Sequence, residues 1–230
     1  MGTRRQNVTF PSNGQTAHGY LALPPKGLGP GVLVVQEWWG LTRHIADLTD
    51  RLAAEGFVAL APDLYGGTTT HDPAEASKLK AELPAERAAR DLAGAVDFLL
   101  DHPQTVGDAI GATGFCMGGG LALRLAAQQG DRIAAVVPFY GLPDDPDFDY
   151  RGLTAHVLGH FGEDDASLPA ATVDEAAIRI GEATDRRPEI HFYPAGHAFM
   201  NDEKQPSTYD PLQADTAWRR TLAFLWAHLG

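Results

Sequence analysis

The stretch Gly114-Phe115-Cys116-Met117-Gly118-Gly119 decides the fold of this chain. It follows the apolar run Ala109 to Thr113 and precedes the helix-forming run Leu121 to Gln129. A nucleophile between glycines at a strand-to-helix turn is typical of an elbow, in which strained backbone holds the side chain out above a sheet. Glycine is required beside it because a Cβ would collide where the helix approaches the strand. The stretch therefore predicts an enzyme whose nucleophile is a thiol.

Apolar strand-like runs alternate with amphipathic helical runs along the rest of the chain. The predicted strands are Val8–Phe10, His18–Leu23, Gly31–Gln36, Phe57–Ala61, Ala109–Phe115, Ile133–Tyr140, Ala155–Leu158 and Glu189–Tyr193. The predicted helices are Ile45–Glu55, Ala74–Leu83, Ala85–Leu100, Leu121–Gln129, Ala170–Glu182 and Pro211–His228. This alternation predicts one α/β domain over residues 1–230, with a mostly parallel central sheet and helices on both faces.

Three residues that could cooperate in catalysis follow predicted strands in the order thiol, carboxylate, imidazole: Cys116, Asp165 and His197. Because sites in parallel sheets lie beyond the carboxyl ends of the strands, we expect all three at one edge. There Cys116 would be the nucleophile, His197 its base, and Asp165 the group that orients the imidazole. Two structural interpretations stay open. A lone cysteine is usually a small buried hydrophobe, and an acidic residue beside Glu163 and Asp164 is usually solvated.

Composition and net charge limit the kinds of partner and the location that we expect for this protein. The chain has 230 residues, 44% hydrophobic and 21% charged, which fits a soluble domain with a sizeable core. A net charge of -12 argues against nucleic acid and anionic membranes as partners. No apolar run reaches membrane-spanning length, and residues 1–7 lack the apolar segment of a signal peptide. The single cysteine excludes an internal disulfide, so we expect a cytoplasmic protein. We also expect a monomer or weak homo-oligomer whose substrate is a small molecule.

The sequence predicts neither a metal nor a cofactor. His156 and His160 are four residues apart, which suits a metal on a helix, but their segment predicts a strand. We interpret both histidines as incidental. Asp63, in the stretch Pro62-Asp63-Leu64-Tyr65, is expected to cap or brace the loop after its strand.

Several segments together resemble the dienelactone hydrolase family of the α/β-hydrolase superfamily. They are Gln36-Glu37-Trp38-Trp39-Gly40-Leu41, Ala61-Pro62-Asp63-Leu64-Tyr65, Gly114-Phe115-Cys116-Met117-Gly118-Gly119, Phe139-Tyr140-Gly141, Gly162 through Asp165 to Pro169, and Tyr193 through Gly196-His197-Ala198-Phe199. The resemblance runs from about the first strand to the last helix. It implies an α/β-hydrolase fold and a carboxymethylenebutenolidase-like hydrolase of small lactones or carboxylic esters, which works through a thioester acyl-enzyme.

The resemblance also implies roles outside the triad. The backbone N–H groups of Trp38 and Met117 would form the oxyanion hole. Glu37 is the family's unusual addition, a carboxylate that holds the thiol proton at rest and protects the nucleophile from oxidation. Glu37 at the end of a buried strand could instead be a structural, salt-bridged carboxylate. We expect the substrate pocket to be lined by Trp39, Tyr140, Phe199 and Asn201.

The charged residues near the predicted site indicate the charge of the substrate. Family members dedicated to dienelactone bind its carboxylate with arginines, one of them shortly after the catalytic histidine. Residues 198–202 contain no arginine, and the segment between Tyr65 and Leu83 offers only Lys78 and Lys80. We therefore expect an uncharged lactone or ester. Two alternatives remain: a thioesterase or acyl transferase that uses the same triad, and a non-catalytic small-molecule binder.

Overall fold

The structure, a computed structural model, describes residues 6–204 and 207–230. The strands are β1 Val8–Ser12, β2 Gln15–Ala22, β3 Gly29–Val35, β4 Val58–Pro62, β5 Thr105–Phe115, β6 Ile133–Phe139, β7 His156–Gly162 and β8 Glu189–Tyr193. The α-helices are α1 Arg43–Ala54, α2 Pro73–Glu82, α3 Ala85–Asp101, α4 Met117–Gln129, α5 Ala170–Thr184 and α6 Pro211–Leu229. Short 3₁₀ helices occupy Gly130–Arg132 and Asp202–Lys204.

The chain divides into two compact units, the first ending at Ile110 and the second beginning at Gly111. The strand order is β1-β2-β4-β3-β5 through the first unit and β5-β6-β7-β8 through the second, with β5 crossing the boundary. β3 pairs with β4, β6 with β7 and β7 with β8 in parallel, while β2 pairs antiparallel with β1 and β4. The predicted α/β class, with an eight-stranded and mostly parallel sheet, is confirmed.

In the first unit the core forms where the sequence is most apolar. Every residue of β3 is buried, as its β-branched run predicts for a strand covered on both faces. Helix α1 packs on β4 and β2 through Ile45, Leu48 and Leu52, which recur at helical spacing and are at most 1% exposed. Pro11 is tolerated because β1 is the edge strand of the sheet.

Asp63 braces the loop after β4, as the sequence predicted. Its carboxylate accepts the backbone N–H of Tyr65 at 3.0 Å and that of Gly67 at 2.6 Å. Gln36 serves the same loop and was not predicted: its side-chain oxygen accepts the N–H of Leu64 at 3.1 Å, and the residue is fully buried. The side chains of Asp63 and Gln36 thus accept backbone N–H groups that find no main-chain acceptor in this irregular loop.

In the second unit, main-chain bonds tie the loop after β7 to the loop after β8. The N–H of Glu163 donates to the carbonyl of Tyr193 at 2.7 Å, and that of Asp164 donates to Ala195 at 3.1 Å. The first of these loops carries Asp165 and the second carries His197. The bonds therefore fix the two loops against each other at the carboxyl edge of the sheet.

His160 lies in the part of β7 that extends beyond the predicted strand. Its Nδ1 lies 2.8 Å from the Tyr193 hydroxyl and its Nε2 lies 3.0 Å from Thr221 Oγ1. Thr221 donates to a main-chain carbonyl of α6, so it accepts from Nε2–H and Tyr193 donates to Nδ1. Burial lowers the pKa of His160 well below its usual value, and the ring is neutral. The predicted strand stopped at Leu158 because a polar residue ended the apolar run.

Helix α4 also extends beyond its predicted bounds, since it begins at Met117 and not at the predicted Leu121. Three glycines, Gly118 to Gly120, lower the helix propensity of its first turn. Packing requires a glycine at position 120, because a Cβ on Gly120 would overlap the carbonyl of Leu142. Close contact with the loop after β6 thus explains Gly120.

Candidate active site

Cys116 lies between β5 and α4 in the backbone conformation of an elbow. Its φ of 52° and ψ of -119° are rare for a residue with a Cβ and cost about 1–3 kcal/mol. The conformation is held from both sides: the Cys116 N–H donates to Phe139 at 3.0 Å, and its carbonyl accepts from Gly119 at 2.9 Å. A Cβ on Gly114 would overlap the carbonyl of Gly118, as the sequence predicted. The thiol is partly exposed.

The structure brings Asp165 and His197 together. His197 Nδ1 donates to Asp165 Oδ2 at 2.6 Å, and the side chains are 33% and 1% exposed respectively. The Cys116 side chain interacts with the same imidazole, because it contributes to the raised pKa of His197. The next residue, Ala198, has a φ of 61°, so the loop turns sharply behind the histidine. Thiol, imidazole and carboxylate thus form one connected chain within the second unit.

Ser167 belongs to this arrangement and was missed by sequence reasoning. Its hydroxyl donates to Asp165 Oδ1 at 2.6 Å and lies 3.2 Å from His197 Nδ1. The backbone N–H groups of Ser167 and Leu168 donate to the same oxygen at 2.9 and 3.2 Å. One carboxylate oxygen is therefore fixed by the loop while the other faces the imidazole. The Asp-x-Ser spacing, which favours such a turn, was the available signal.

The electrostatics of the pair favour a charged imidazole. Burial by itself lowers the pKa of His197, but the hydrogen bonds with Asp165 and Cys116 and the charges of both partners raise it to about 10. Burial raises the pKa of Asp165, yet the hydrogen bonds from His197 and Ser167 outweigh that effect and leave it below its usual value. At neutral pH Asp165 is thus ionised and His197 protonated.

Aromatic side chains surround the imidazole. The Tyr140 ring meets the His197 ring edge-on at 5.2 Å and the Phe199 ring at 5.6 Å. Both aromatic residues are almost completely buried. Asn201 is also buried, and its side-chain oxygen accepts the N–H of Glu203 at 2.9 Å, so it shapes its own loop. Whether these three residues contact substrate, as expected from the sequence, stays a prediction.

The other predicted site residues lie at element ends. Met117 is the first residue of α4, where the helix dipole favours negative charge. In the first unit, Glu37 follows β3 and is buried, while the rings of Trp38 and Trp39 meet edge-on at 4.8 Å. Trp39 also contacts the His71 ring at 6.4 Å. The oxyanion-hole, gating and pocket roles of these residues stay predictions.

Comparison with known proteins decides the family. The model of the dienelactone hydrolase family matches residues 17–229. The chain belongs to the dienelactone hydrolase family. It is 37% identical to protein usf of Aquifex pyrophilus and 36% identical to an Aquifex aeolicus protein provisionally named a carboxymethylenebutenolidase. Both alignments cover 97% of this chain and 99% of the relative.

A solved structure gives the same result. The crystal structure of a Klebsiella pneumoniae protein provisionally named a dienelactone hydrolase superposes with a TM-score of 0.85 at 32% identity. The match covers 96% of this chain and 97% of that one. As a member of the dienelactone hydrolase family, the chain is a carboxylic ester or lactone hydrolase, as its sequence predicted.

The described residues contain neither a membrane-spanning helix nor a cluster of metal ligands. Across the part of the chain that the structure describes, no helix is long and apolar enough to cross a bilayer. Among residues 6–204 and 207–230, no three or more His, Cys, Asp or Glu side chains are grouped as metal ligands would be.

Proposed function

We propose that this dienelactone hydrolase family member cleaves small lactones or carboxylic esters with Cys116 as nucleophile, through a thioester acyl-enzyme. The observation that carries the proposal is the 2.6 Å hydrogen bond from His197 to the buried Asp165 carboxylate, on an imidazole whose pKa the Cys116 side chain also raises. A positive φ at Cys116 supports it, because such strain is found where a nucleophile must be presented. The buried, hydrogen-bonded Asp165 supplies the orienting group that a Cys–His pair needs.

The raised pKa of His197 determines how the first step would run. With the proton already on the imidazole, Cys116 attacks the carbonyl carbon as a thiolate paired with an imidazolium. A C–S bond forms and the carbonyl electron pair moves onto oxygen. When the electron pair returns, the C–O bond breaks and His197 passes its proton to the leaving alkoxide. The thioester and a neutral imidazole remain.

The neutral His197 would then act as the base of the second step. It takes a proton from water as the water oxygen attacks the thioester carbon. When the second tetrahedral intermediate collapses, the C–S bond breaks, the acid leaves, and the thiolate–imidazolium pair is restored. Both intermediates carry a negative oxygen, for which the backbone N–H groups of Met117 and Trp38 are the proposed donors. The dipole of α4 favours that charge at Met117.

Glu37 is proposed as the group that keeps the thiol protonated until substrate binds, and that takes up its proton then. At rest the thiol donates a hydrogen bond to the buried carboxylate; when substrate displaces Glu37, the proton moves to the carboxylate and the thiolate remains beside the protonated His197. After turnover Glu37 returns the proton to the thiolate. Glu37→Gln is then expected to alter the rate and the pH profile of Cys116 alkylation by iodoacetamide. Glu86→Gln, on the exposed surface of α3, is the control. Identical kinetics in wild type and Glu37→Gln would assign Glu37 a purely structural role.

The proposed substrate is uncharged. The segment after His197 offers no arginine to pair with a substrate carboxylate, and the chain carries a net charge of -12. A charge-assisted pair would have contributed about 1.5–3 kcal/mol to binding. Neutral lactones and short-chain esters therefore fit this chain better than carboxylated dienelactone.

The proposal is tested by screening neutral lactones and p-nitrophenyl esters of graded chain length with wild-type protein and Cys116→Ala. Loss of the nucleophile is expected to lower turnover by several orders of magnitude, on the order of 10⁶. A small apolar side chain still fits the elbow, so circular dichroism should show an unchanged fold. Appreciable ester cleavage by Cys116→Ala would disprove the thiol mechanism, and no cleavage by wild type would leave only a binding protein.

A further inference from the structure

A polar cavity lies in the second unit, at the start of β7 and away from the candidate active site. It has a volume of about 160 Å³ and lies where the beginning of β7, the connection from α5 to β8, and the last turns of α6 converge. Its lining includes His156, Thr184, Arg186, Arg187, Phe224 and His228. We call the four basic residues of this set, His156, Arg186, Arg187 and His228, the basic cluster.

The two histidines of the basic cluster are stacked. Their ring centroids are 3.9 Å apart and the rings are inclined by only 15°. Phe224 meets the His228 ring edge-on at 4.6 Å and fixes it from the other side. Arg186 Nη1 lies 3.1 Å from His156 Nε2. A guanidinium can only donate, so Nε2 accepts and His156 is neutral with its proton on Nδ1.

The groups around His156 are predominantly cationic. Arg186 and Arg187 come from the connection between α5 and β8, and His228 comes from α6. The only lining carboxylate among the described residues is Glu189 of β8, which bonds His191 Nε2 at 2.6 Å. The Arg187 guanidinium makes no hydrogen bond or ion pair with any residue in 6–204 or 207–230. In a chain with a net charge of -12, such a concentration of donors is unusual, and the lining carboxylate of Glu189 is already paired with His191.

We propose that the basic cluster binds a tetrahedral oxyanion, a phosphoryl group free or as a monoester. Two guanidinium groups present several N–H donors to such an anion, which is the arrangement that arginine favours for phosphate. The stacked imidazoles add a donor on protonation, and the cavity has room for one small anion.

This cavity lies apart from the candidate active site. His156 is the first residue of β7, whereas Asp165 follows the other end of that seven-residue strand. At about 3.3 Å per residue the strand alone separates them by roughly 20 Å. An anion in the basic cluster would therefore bind independently of the thiol chemistry.

Anion binding should be coupled to protonation of His156. Burial lowers the pKa of His156, and the positive charges of His228 and Arg186 lower it further. A bound dianion offsets these positive charges and therefore raises the pKa of His156. Sulfate keeps a charge of -2 throughout neutral and mildly acidic pH, so it isolates the protein's own titration. A one-unit rise in the pKa of His156 on binding corresponds to an affinity about tenfold higher at low pH.

The experiment follows the His156 and His228 ring signals by NMR during titration of the full chain with sulfate, at constant ionic strength set by sodium chloride. Saturable shifts with sulfate but not chloride, and tighter binding at mildly acidic than at alkaline pH, are expected. Inorganic phosphate and phenyl phosphate are then compared. Tighter binding of phenyl phosphate identifies a phosphate monoester as the ligand type, and weaker binding identifies free phosphate.

Arg186→Gln/Arg187→Gln is expected to weaken sulfate binding at least tenfold, since two charge-assisted contacts are lost. The control Arg151→Gln/Arg219→Gln removes the same charge from exposed pairs with Asp149 and Asp215 and should bind as wild type does. Unchanged ester hydrolysis and circular dichroism verify that each variant is folded. Equal loss in both double variants, equal shifts with chloride, or full binding by Arg186→Gln/Arg187→Gln would each overturn the proposal.

Discussion

At the level of single residues, the position of one proton determines the chemistry. His197 gains a carboxylate and a thiol as partners, and its pKa is raised to about 10, whereas burial holds the pKa of His160 well below its usual value. His160 lies on β7, and His197 lies in the loop after the neighbouring strand β8. His197 is a charged hydrogen-bond donor, whereas His160 is neutral and connects two structural hydroxyl groups. The difference comes from their partners and not from burial, because burial alone lowers the pKa of both.

The raised pKa of His197 makes a prediction about stability. A folded-state pKa above the unfolded value of about 6.5 stabilises the protein fully below that pH, and the contribution disappears as the pH rises through about 10. The free energy of unfolding of wild type should therefore exceed that of His197→Gln most at pH 6 and progressively less towards pH 10. Urea unfolding at several pH values measures it. A difference that is independent of pH would refute a protonated His197.

Ser167 is expected to position Asp165 and, through it, the imidazole. Ser167→Ala removes the 2.6 Å bond to Asp165 but leaves two backbone donors on the same oxygen. We expect kcat/KM to fall by about tenfold, mainly in kcat, as for one lost bond to a charged group. The acidic limb of the pH–rate profile should also move upward, because Ser167 lowers the pKa of Asp165. Ser77→Ala, exposed on α2, is the control, and a profile identical to wild type would contradict the role.

At the level of elements, the elbow depends on close backbone contact between β5, α4 and the loop after β6. A Cβ on Gly141 would overlap the carbonyl of Cys116, so either the elbow or the loop must move. Gly141→Ala should lower the free energy of unfolding by about 3 kcal/mol or more and abolish activity. Gly196→Ala is the matched control, since no atom lies within 4 Å of its added Cβ. Equal stability of both variants in urea would refute this account of the elbow.

The elements were predictable where local patterns agree with the tertiary environment. The β-branched run of β3, the helical spacing in α1 and the break at Pro84 each gave an element of the right type and place. The prediction failed where distant partners override a local pattern. His160 remains in a buried strand because Tyr193 and Thr221 satisfy both ring nitrogens, which no local sequence signal reveals.

The same limit applies to the candidate site. The order of Cys116, Asp165 and His197 along the chain indicated the chemistry, because each follows a strand of a parallel sheet. Ser167 was missed because its role depends on a hydroxyl pointing back to a carboxylate two residues earlier. The buried loop contact of Gln36 with Leu64 was missed because it joins residues 28 positions apart.

At the level of the whole molecule, net charge should discriminate among substrates. The charge of -12 repels anions, so kcat/KM for a neutral ester should equal or exceed that for its carboxylated analogue. Added salt should narrow the gap, because roughly 0.15 M salt reduces the screening length to about 8 Å. A carboxylated lactone preferred by about tenfold, a free-energy difference of 1.4 kcal/mol, would contradict this prediction.

Introducing an arginine at position 201 is not a clean test of charge preference. Asn201 is 1% exposed and accepts the N–H of Glu203, so Asn201→Arg would bury a guanidinium and break the turn. The salt dependence of the wild-type enzyme is therefore the better measurement.

The proposed mechanism requires an acyl group to pass through the sulfur of Cys116. Wild-type protein mixed with p-nitrophenyl butyrate and quenched in acid within the first turnover should carry the butyryl group on the peptide that contains Cys116. Neutral hydroxylamine should release it as a thioester, and it should be absent from Cys116→Ala. Acylation of another residue, or full turnover by Cys116→Ala, would contradict the account.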